Sequence, residues 1–173
     1  MNQKGLLNPD DMEGKVTNVA GYRFVDLPDR DALREPFRAI CKKAGLKGTI
    51  LLSFEGINFF LAGSQSSVDQ YLDFLEQDSR FSQIHLKYSH TEFQPFNRMN
   101  VRLKKEIISL GLEHVKPAER TGEVITPTEF KRWLDEGREV AIIDTRNDYE
   151  IRLGTFENAL NLNLKSFRAF PKA

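Results

Sequence analysis

Two apolar runs, Thr49-Ile50-Leu51-Leu52-Ser53 and Ile57-Asn58-Phe59-Phe60-Leu61, are separated only by Phe54-Glu55-Gly56. Two such runs around a short glycine-containing connection read as an antiparallel hairpin. Gly56 is expected to take a positive φ in the tight turn. Glu55 and Asn58 flank that turn, where they either serve it structurally or point toward a bound nucleotide.

A strand and a helix precede the hairpin, and a helix and a strand follow it. Val16 to Leu27 is rich in Val, Tyr and Phe and stops at Pro28. Asp29 can cap a helix whose apolar positions, Leu33, Phe37, Ile40, Cys41 and Ala44, share one face. Pro36 predicts a kink there, or a regular helix that starts only at Pro36. Beyond the hairpin, Ser66 is placed to start a second helix, with Asp69 as capping-box partner and Val68, Tyr71, Leu72 and Leu75 as its face. Ile84, Leu86 and Tyr88 then alternate with His85, Lys87 and Ser89, as in a strand with one wet side.

The order strand, helix, strand, strand, helix, strand is the split βαβ pattern of ferredoxin-like domains. It predicts an α+β domain over residues 16–110, with two helices on one sheet face and the other face left for a partner. Asn100 to Ile108 can add a further strand. A polar segment, 1–15, precedes this domain, and a linker, 111–121, follows it. The fold alone assigns no activity. An acylphosphatase activity is set aside, because no glycine-rich anion loop with an adjacent arginine lies between the first strand and helix.

Residues 122–173 follow a different plan. Thr126-Pro127-Thr128-Glu129 is a helix start with a cap, a proline at the first helical position and a capping-box acid. Phe130, Trp133 and Leu134 give the helix its buried face, and Gly137 gives its stop. Val140 to Ile143 reads as a strand covered on both sides, followed by a charged loop, a helical turn, Gly154 and a second strand near Leu160 and Leu162. This is the opening of a parallel α/β unit. About 50 residues cannot enclose its core, so Ile142, Ile143, Leu160 and Leu162 are expected to stay exposed unless more chain or another surface covers them. Asp144, Thr145 and Arg146 stand at the strand's carboxyl end, where open parallel sheets place their sites.

The 25 basic and 25 acidic residues cancel, so no global field draws the chain to nucleic acid and any such contact needs a local patch. One candidate is Arg98, Arg102, Lys104 and Lys105, in a stretch without acids from Phe93 to Lys105. Alternation puts Arg102 and Lys104 on one side of the added strand, where they could hold RNA phosphates while Phe93 and Phe96 stack on bases. The other reading is a solvated edge strand protected by charge. Arg146 either meets a phosphate or pairs with Glu150 one helical turn on.

Cys41 is the sole cysteine, so no internal disulfide can form, and its place on an apolar helix face marks it as a core residue. His85, His90 and His114 lack metal-ligand spacing, so no metal is expected, and no cofactor is identified from the residues. The start lacks a signal peptide's apolar stretch, and no apolar run approaches the roughly 20 residues that span a bilayer. The expectation is a cytoplasmic protein with no membrane or DNA partner.

IIDTRNDYEIRLGTFENALNL closely resembles the opening of a rhodanese domain, with Asp144, Arg146, Glu150 and Gly154 on its motif. YRFVDLPD, GLKGTILLSFEGINFFLAG and VRLKKEII resemble the amino-terminal domain of one rhodanese subfamily, the bacterial oxygen-dependent tRNA uridine hydroxylases. The similarity covers about residues 16–170. It implies a tRNA-modifying oxidoreductase that uses molecular oxygen to make 5-hydroxyuridine at the wobble position, with the anticodon region of tRNA as partner. It also implies a catalytic cysteine on a loop after the next parallel strand. No cysteine follows Cys41 here, so 122–173 is expected to be the front part of the rhodanese-like domain and this polypeptide is expected to be inactive. The four motif residues would then brace the active-site loop. A sulfurtransferase and a non-catalytic RNA- or protein-binding module are the competing readings.

Overall fold

The computed structural model describes residues 15–112, 115, 117 and 119–173. The expected polar segment, apart from Lys15, and His114 lie outside the described residues. The chain divides into two compact units, Met1–Ile107 and Ile108–Ala173.

The first unit runs β1 (Val16–Phe24), α1 (Arg30–Lys43), β2 (Lys47–Ser53), β3 (Gly56–Gly63), α2 (Gln65–Glu76), β4 (His85–Thr91) and β5 (Met99–Leu103). The sheet order is β4-β1-β3-β2-β5. The first four strands pair antiparallel with their neighbours, and β5 joins the β2 edge in parallel. This is the predicted ferredoxin-like arrangement with one strand added.

Both helices pack on the same sheet face. Val19, Ile50, Leu52, Ile57, Phe59 and Leu61 from the strands meet Phe37, Cys41, Val68, Tyr71 and Leu75 from the helices. Burial of each large apolar side chain contributes roughly 1.5–3 kcal/mol. Phe37 is met edge-on by Phe74 at 5.3 Å and Phe81 at 5.8 Å, and Tyr71 meets Phe59 edge-on at 5.2 Å. These are the favourable quadrupolar geometries for rings.

The hairpin closes as expected, with Ser53 paired to Gly56 across Phe54-Glu55. Gly56 has φ +146°, and a Cβ there would stand 2.0 Å from the Arg23 carbonyl oxygen. Backbone conformation and space both reserve the position for glycine.

Several local expectations give way to stronger partners. Strand β1 ends at Phe24, not Leu27, because the Val25 and Leu27 N–H groups donate to the Glu55 and Phe54 carbonyls of the hairpin loop, each at 3.0 Å. Helix α1 starts at Arg30 and continues through Pro36, so it does not begin at the proline. Asp29 occupies the N-cap position but its side chain caps nothing. Arg80 takes that carboxylate through two bonds, at 2.5 and 3.0 Å, and also holds Asp78 at 2.7 Å. A charged, forked donor outcompetes a neutral backbone N–H. Helix α2 is capped by Ser64, whose hydroxyl accepts from the Ser67 N–H at 3.1 Å, while Asp69 accepts from Gln65. The Ser66–Asp69 box does not form, since β3 ends at Gly63 and the chain turns at once. The added strand stops at Leu103 instead of reaching Ile108.

The second unit runs α3 (Pro127–Asp135), β6 (Ile143–Asp144), α4 (Asp148–Ile151) and β7 (Leu160–Asn161). The strands pair in parallel, Ile143 with Leu160 and Asp144 with Asn161. Thr126 caps α3 by accepting from the Glu129 N–H at 3.1 Å, and Gly137 ends it with φ +65°. Glu129 does not complete a capping box; its carboxylate goes to Arg132 at 2.6 Å and to the Trp133 indole at 3.0 Å. The expected strand from Val140 is reduced to Ile143–Asp144, flanked by a bond from the Leu160 N–H to the Ile142 carbonyl.

Among the described residues of this unit, only Asp144 and Leu164 are buried. Phe130 and Trp133 are half-buried and Leu134 is exposed, so α3 has no fully buried face. Of the four side chains expected to be exposed, Ile143 is 50% and Leu160 56% exposed, whereas Ile142 and Leu162 are half-buried.

The Tyr71 hydroxyl is buried without a hydrogen-bond partner among the described residues. Tyr71→Phe should therefore change unfolding free energy by less than about 1 kcal/mol, while Phe37→Ala should cost about 3–5 kcal/mol. Urea unfolding of both variants checks this; a large loss in Tyr71→Phe would reveal a partner for the hydroxyl. Arg80 holds Asp29 and Asp78 below the ordinary carboxylate value of 3.8. The stability they contribute is complete above that value and is lost as pH falls through the lowered ones. Acid titration of Arg80→Ala should show this part of the pH dependence removed.

Candidate nucleic-acid interface

Strand alternation assigns the two faces of the sheet. The helix-covered face takes Val19, Phe59, Ile50 and Val101, and the opposite face takes their neighbours. On that open face Ala20 lies opposite Phe60 and Tyr22 opposite Asn58, on the adjacent strands β1 and β3. Tyr22 is 44% and Phe60 47% exposed. Each is supported by a second ring: Phe24 meets Tyr22 edge-on at 6.0 Å, and Phe96 meets Phe60 edge-on at 5.1 Å.

Three exposed cations share this face, Lys47 on β2, Lys87 on β4 and Arg102 on β5. No strand residue on it is Asp or Glu. The five acids of α1 and α2, Asp31, Glu35, Asp69, Asp73 and Glu76, are balanced there by Arg30, Arg34, Arg38, Lys42 and Lys43. A chain of zero net charge thus has one locally cationic face.

The segment between β4 and β5 is tied to the sheet by Gln94, whose amide donates to the Ala62 carbonyl at 3.0 Å. After β5, Glu55 accepts from the Ile107 N–H at 2.7 Å, and the Asn58 amide reaches the Ile107 carbonyl at 3.5 Å. Both candidate loop residues therefore hold backbone.

Arg98, Arg102, Lys104 and Lys105 are all exposed. Arg98 precedes β5, and its carbonyl accepts from the Gly48 N–H. Arg102 lies beside Leu51 on the open face, and the Lys104 N–H extends the ladder by donating to the Leu52 carbonyl at 2.8 Å. The Lys104 carbonyl accepts from Arg30. Phe93 is 70% exposed and Phe96 is half-buried. Sequence reasoning missed Tyr22, Phe60, Lys47 and Lys87. The available signal was Phe60 between the inward Phe59 and Leu61, but it became a site only with the strand order.

Cys41 is fully buried, and that burial pushes its thiol up to about 12. A thiol in that state supplies no thiolate nucleophile.

In the second unit, Arg146 does not pair with Glu150. Its guanidinium donates to Asp144 at 2.6 Å and to the Gly154 carbonyl at 2.8 Å. Asp144 also accepts from the Arg146 N–H at 3.1 Å and the Thr155 hydroxyl at 2.7 Å. Glu150 is engaged elsewhere, accepting from the Asn147 N–H at 3.0 Å and from its side-chain amide at 2.9 Å. The donors from Arg146 and Thr155 hold the Asp144 carboxyl well below the usual carboxylate range. Asp144 thus joins the end of β6 to the loop before β7. Asp144→Asn should speed amide exchange at Arg146 and Leu160 while leaving Val19 and Phe59 unchanged. Exchange measured by mass spectrometry checks this, and unaltered rates at Arg146 would refute the bracing role.

Residues 16–107 match the family model described as UPF0176 acylphosphatase like domain. Three curated relatives bear the name tRNA uridine(34) hydroxylase. That of Cupriavidus necator is 47% identical over 164 residues, covering 92% of this chain and 58% of its own length. That of Thiobacillus denitrificans is 45% identical over 161 residues, covering 90% and 65%. That of Bordetella avium is 43% identical over 163 residues, covering 91% and 67%. The chain spans about 58% of the length of the first of these relatives. With its first unit matched by the family model and nine-tenths of its length aligned, the chain belongs to the tRNA uridine(34) hydroxylase family.

Proposed function

We propose that this chain is the substrate-side portion of an enzyme that hydroxylates the wobble uridine of tRNA to 5-hydroxyuridine with molecular oxygen. The observation that carries this reading is 47% identity along 92% of the chain to a relative named for that uridine. The reacting cysteine belongs to a rhodanese-like domain, of which residues 122–173 supply the opening and of which the chain holds no cysteine. Asp144, Arg146, Glu150 and Gly154 brace that opening, consistent with the bonds that engage their side chains and the Gly154 carbonyl. Arg98, Arg102, Lys104 and Lys105 bind phosphates of the anticodon region, and Arg146 keeps part of its guanidinium available to substrate. The protein works in the cytoplasm, where its substrate is. Among the described residues no helix is long and apolar enough to cross a membrane.

Nucleoside mass spectrometry of tRNA treated with the full-length enzyme should detect 5-hydroxyuridine only when the wobble position is uridine and oxygen is present. Sulfur transfer from thiosulfate to cyanide without oxygenated uridine would replace this reading with a sulfurtransferase. Three or four phosphate contacts predict that log affinity of this chain for tRNA falls with log salt at a slope of about −2 to −4. Charge-removing substitutions at Arg98, Arg102, Lys104 and Lys105 should flatten that slope.

A further inference from the structure

We infer that the open sheet face is a stacking platform for two neighbouring unpaired bases of a single-stranded RNA, with Tyr22 and Phe60 as its two stacking rings. The inference rests on the tRNA reading above and specifies the substrate feature that the first unit holds.

Tyr22 and Phe60 come from β1 and β3, the middle pair of the original four strands, and stand as diagonal neighbours. Diagonal positions on antiparallel strands are about 7–8 Å apart, within reach of aromatic side chains. Both rings are nearly half exposed, and neither is needed to fill the core, which lies on the other face. Phe24 and Phe96 pack against them in T-shaped geometry, which restricts the rings while leaving each nearly half exposed. Exposed aromatic pairs on a sheet are otherwise a solubility liability, and stacking on bases is the use that suits them.

Charge identifies the occupant as a polyanion. Lys47, Lys87 and Arg102 surround the ring pair on three different strands, and no acid shares the strand positions of that face. A protein partner with an apolar patch would gain from the rings but would have to leave three cations desolvated or supply matching acids. Single-stranded RNA satisfies both demands, since each base has a stacking face and each nucleotide a phosphate. Duplex RNA hides its base faces and satisfies only the charge.

The test uses this chain and three RNA probes labelled for fluorescence anisotropy: an anticodon stem-loop, a single-stranded octamer of uridines and a duplex of equal length. The stem-loop and the octamer should bind more tightly than the duplex. Tyr22→Ala or Phe60→Ala should weaken single-strand binding roughly 5- to 100-fold and leave duplex binding unchanged. Tyr22→Phe should retain binding, and thermal unfolding should show that these surface variants stay folded. Lys87→Ala with Arg102→Ala should lower the salt slope by about 1 to 2. Equal affinity for the duplex, or ring variants that bind as the wild type does, would overturn the inference. In the full-length enzyme, intact hydroxylation with an unchanged KM in the double ring variant would remove the platform while leaving the proposed reaction standing. Loss of hydroxylation in the wild type with ring-dependent binding retained would do the reverse.

Discussion

One-sided burial is the constraint on which the first unit depends. The sheet encloses a core only because Phe37 and Tyr71 bring two helices onto the face that carries Val19, Ile50 and Phe59. Close approach is needed to seat the Phe59 ring, and Gly21 provides it: a Cβ there would stand 2.5 Å from the end of that ring. Interior packing at near-crystalline density leaves no slack for an extra methyl at such a point. Once the helices occupy one side, every alternate strand residue is committed to the other. The open face is therefore a by-product of core packing on which a binding function can be built.

Periodicity carried most of this fold into the sequence. The hairpin from Thr49 to Leu61, the helical face at Leu33, Phe37, Ile40 and Cys41, and the alternation after Ile84 all depend on local spacing, and their elements formed where spacing put them. Capping was less legible. Asp29 and Glu129 had suitable positions for caps, yet both carboxylates went to arginine, from Arg80 51 residues away and Arg132 three residues on. Arg146 chose Asp144 over Glu150 for a related reason, since Asn147 had already engaged the glutamate. Where several charged groups compete for one side chain, spacing alone does not say which pair forms.

The candidate interface was legible in part. The run from Arg98 to Lys105 is contiguous and stood out, whereas Tyr22, Phe60, Lys47 and Lys87 are spread over four strands. Only strand order brings them together. The second unit shows the complementary case: its motif at Asp144, Arg146 and Gly154 was visible as a string, and its bonds prove local. The apolar side chains around it remain largely in solvent, so the unit's order derives from turns and charged brackets more than from a core.

The one-sided charge of the first unit has a kinetic consequence. The strand side holds three cations and no acid while the five acids and five bases of α1 and α2 cancel, so the charge is lopsided although the whole chain sums to zero. An anionic molecule drifting nearby exerts a torque before it exerts any net pull. Rotational bias of this kind presents the cationic side first, raising the productive fraction of collisions, and it fades once ions compress the field to within about 10 Å. An isoelectric point near neutrality is therefore compatible with rapid capture of a polyanion.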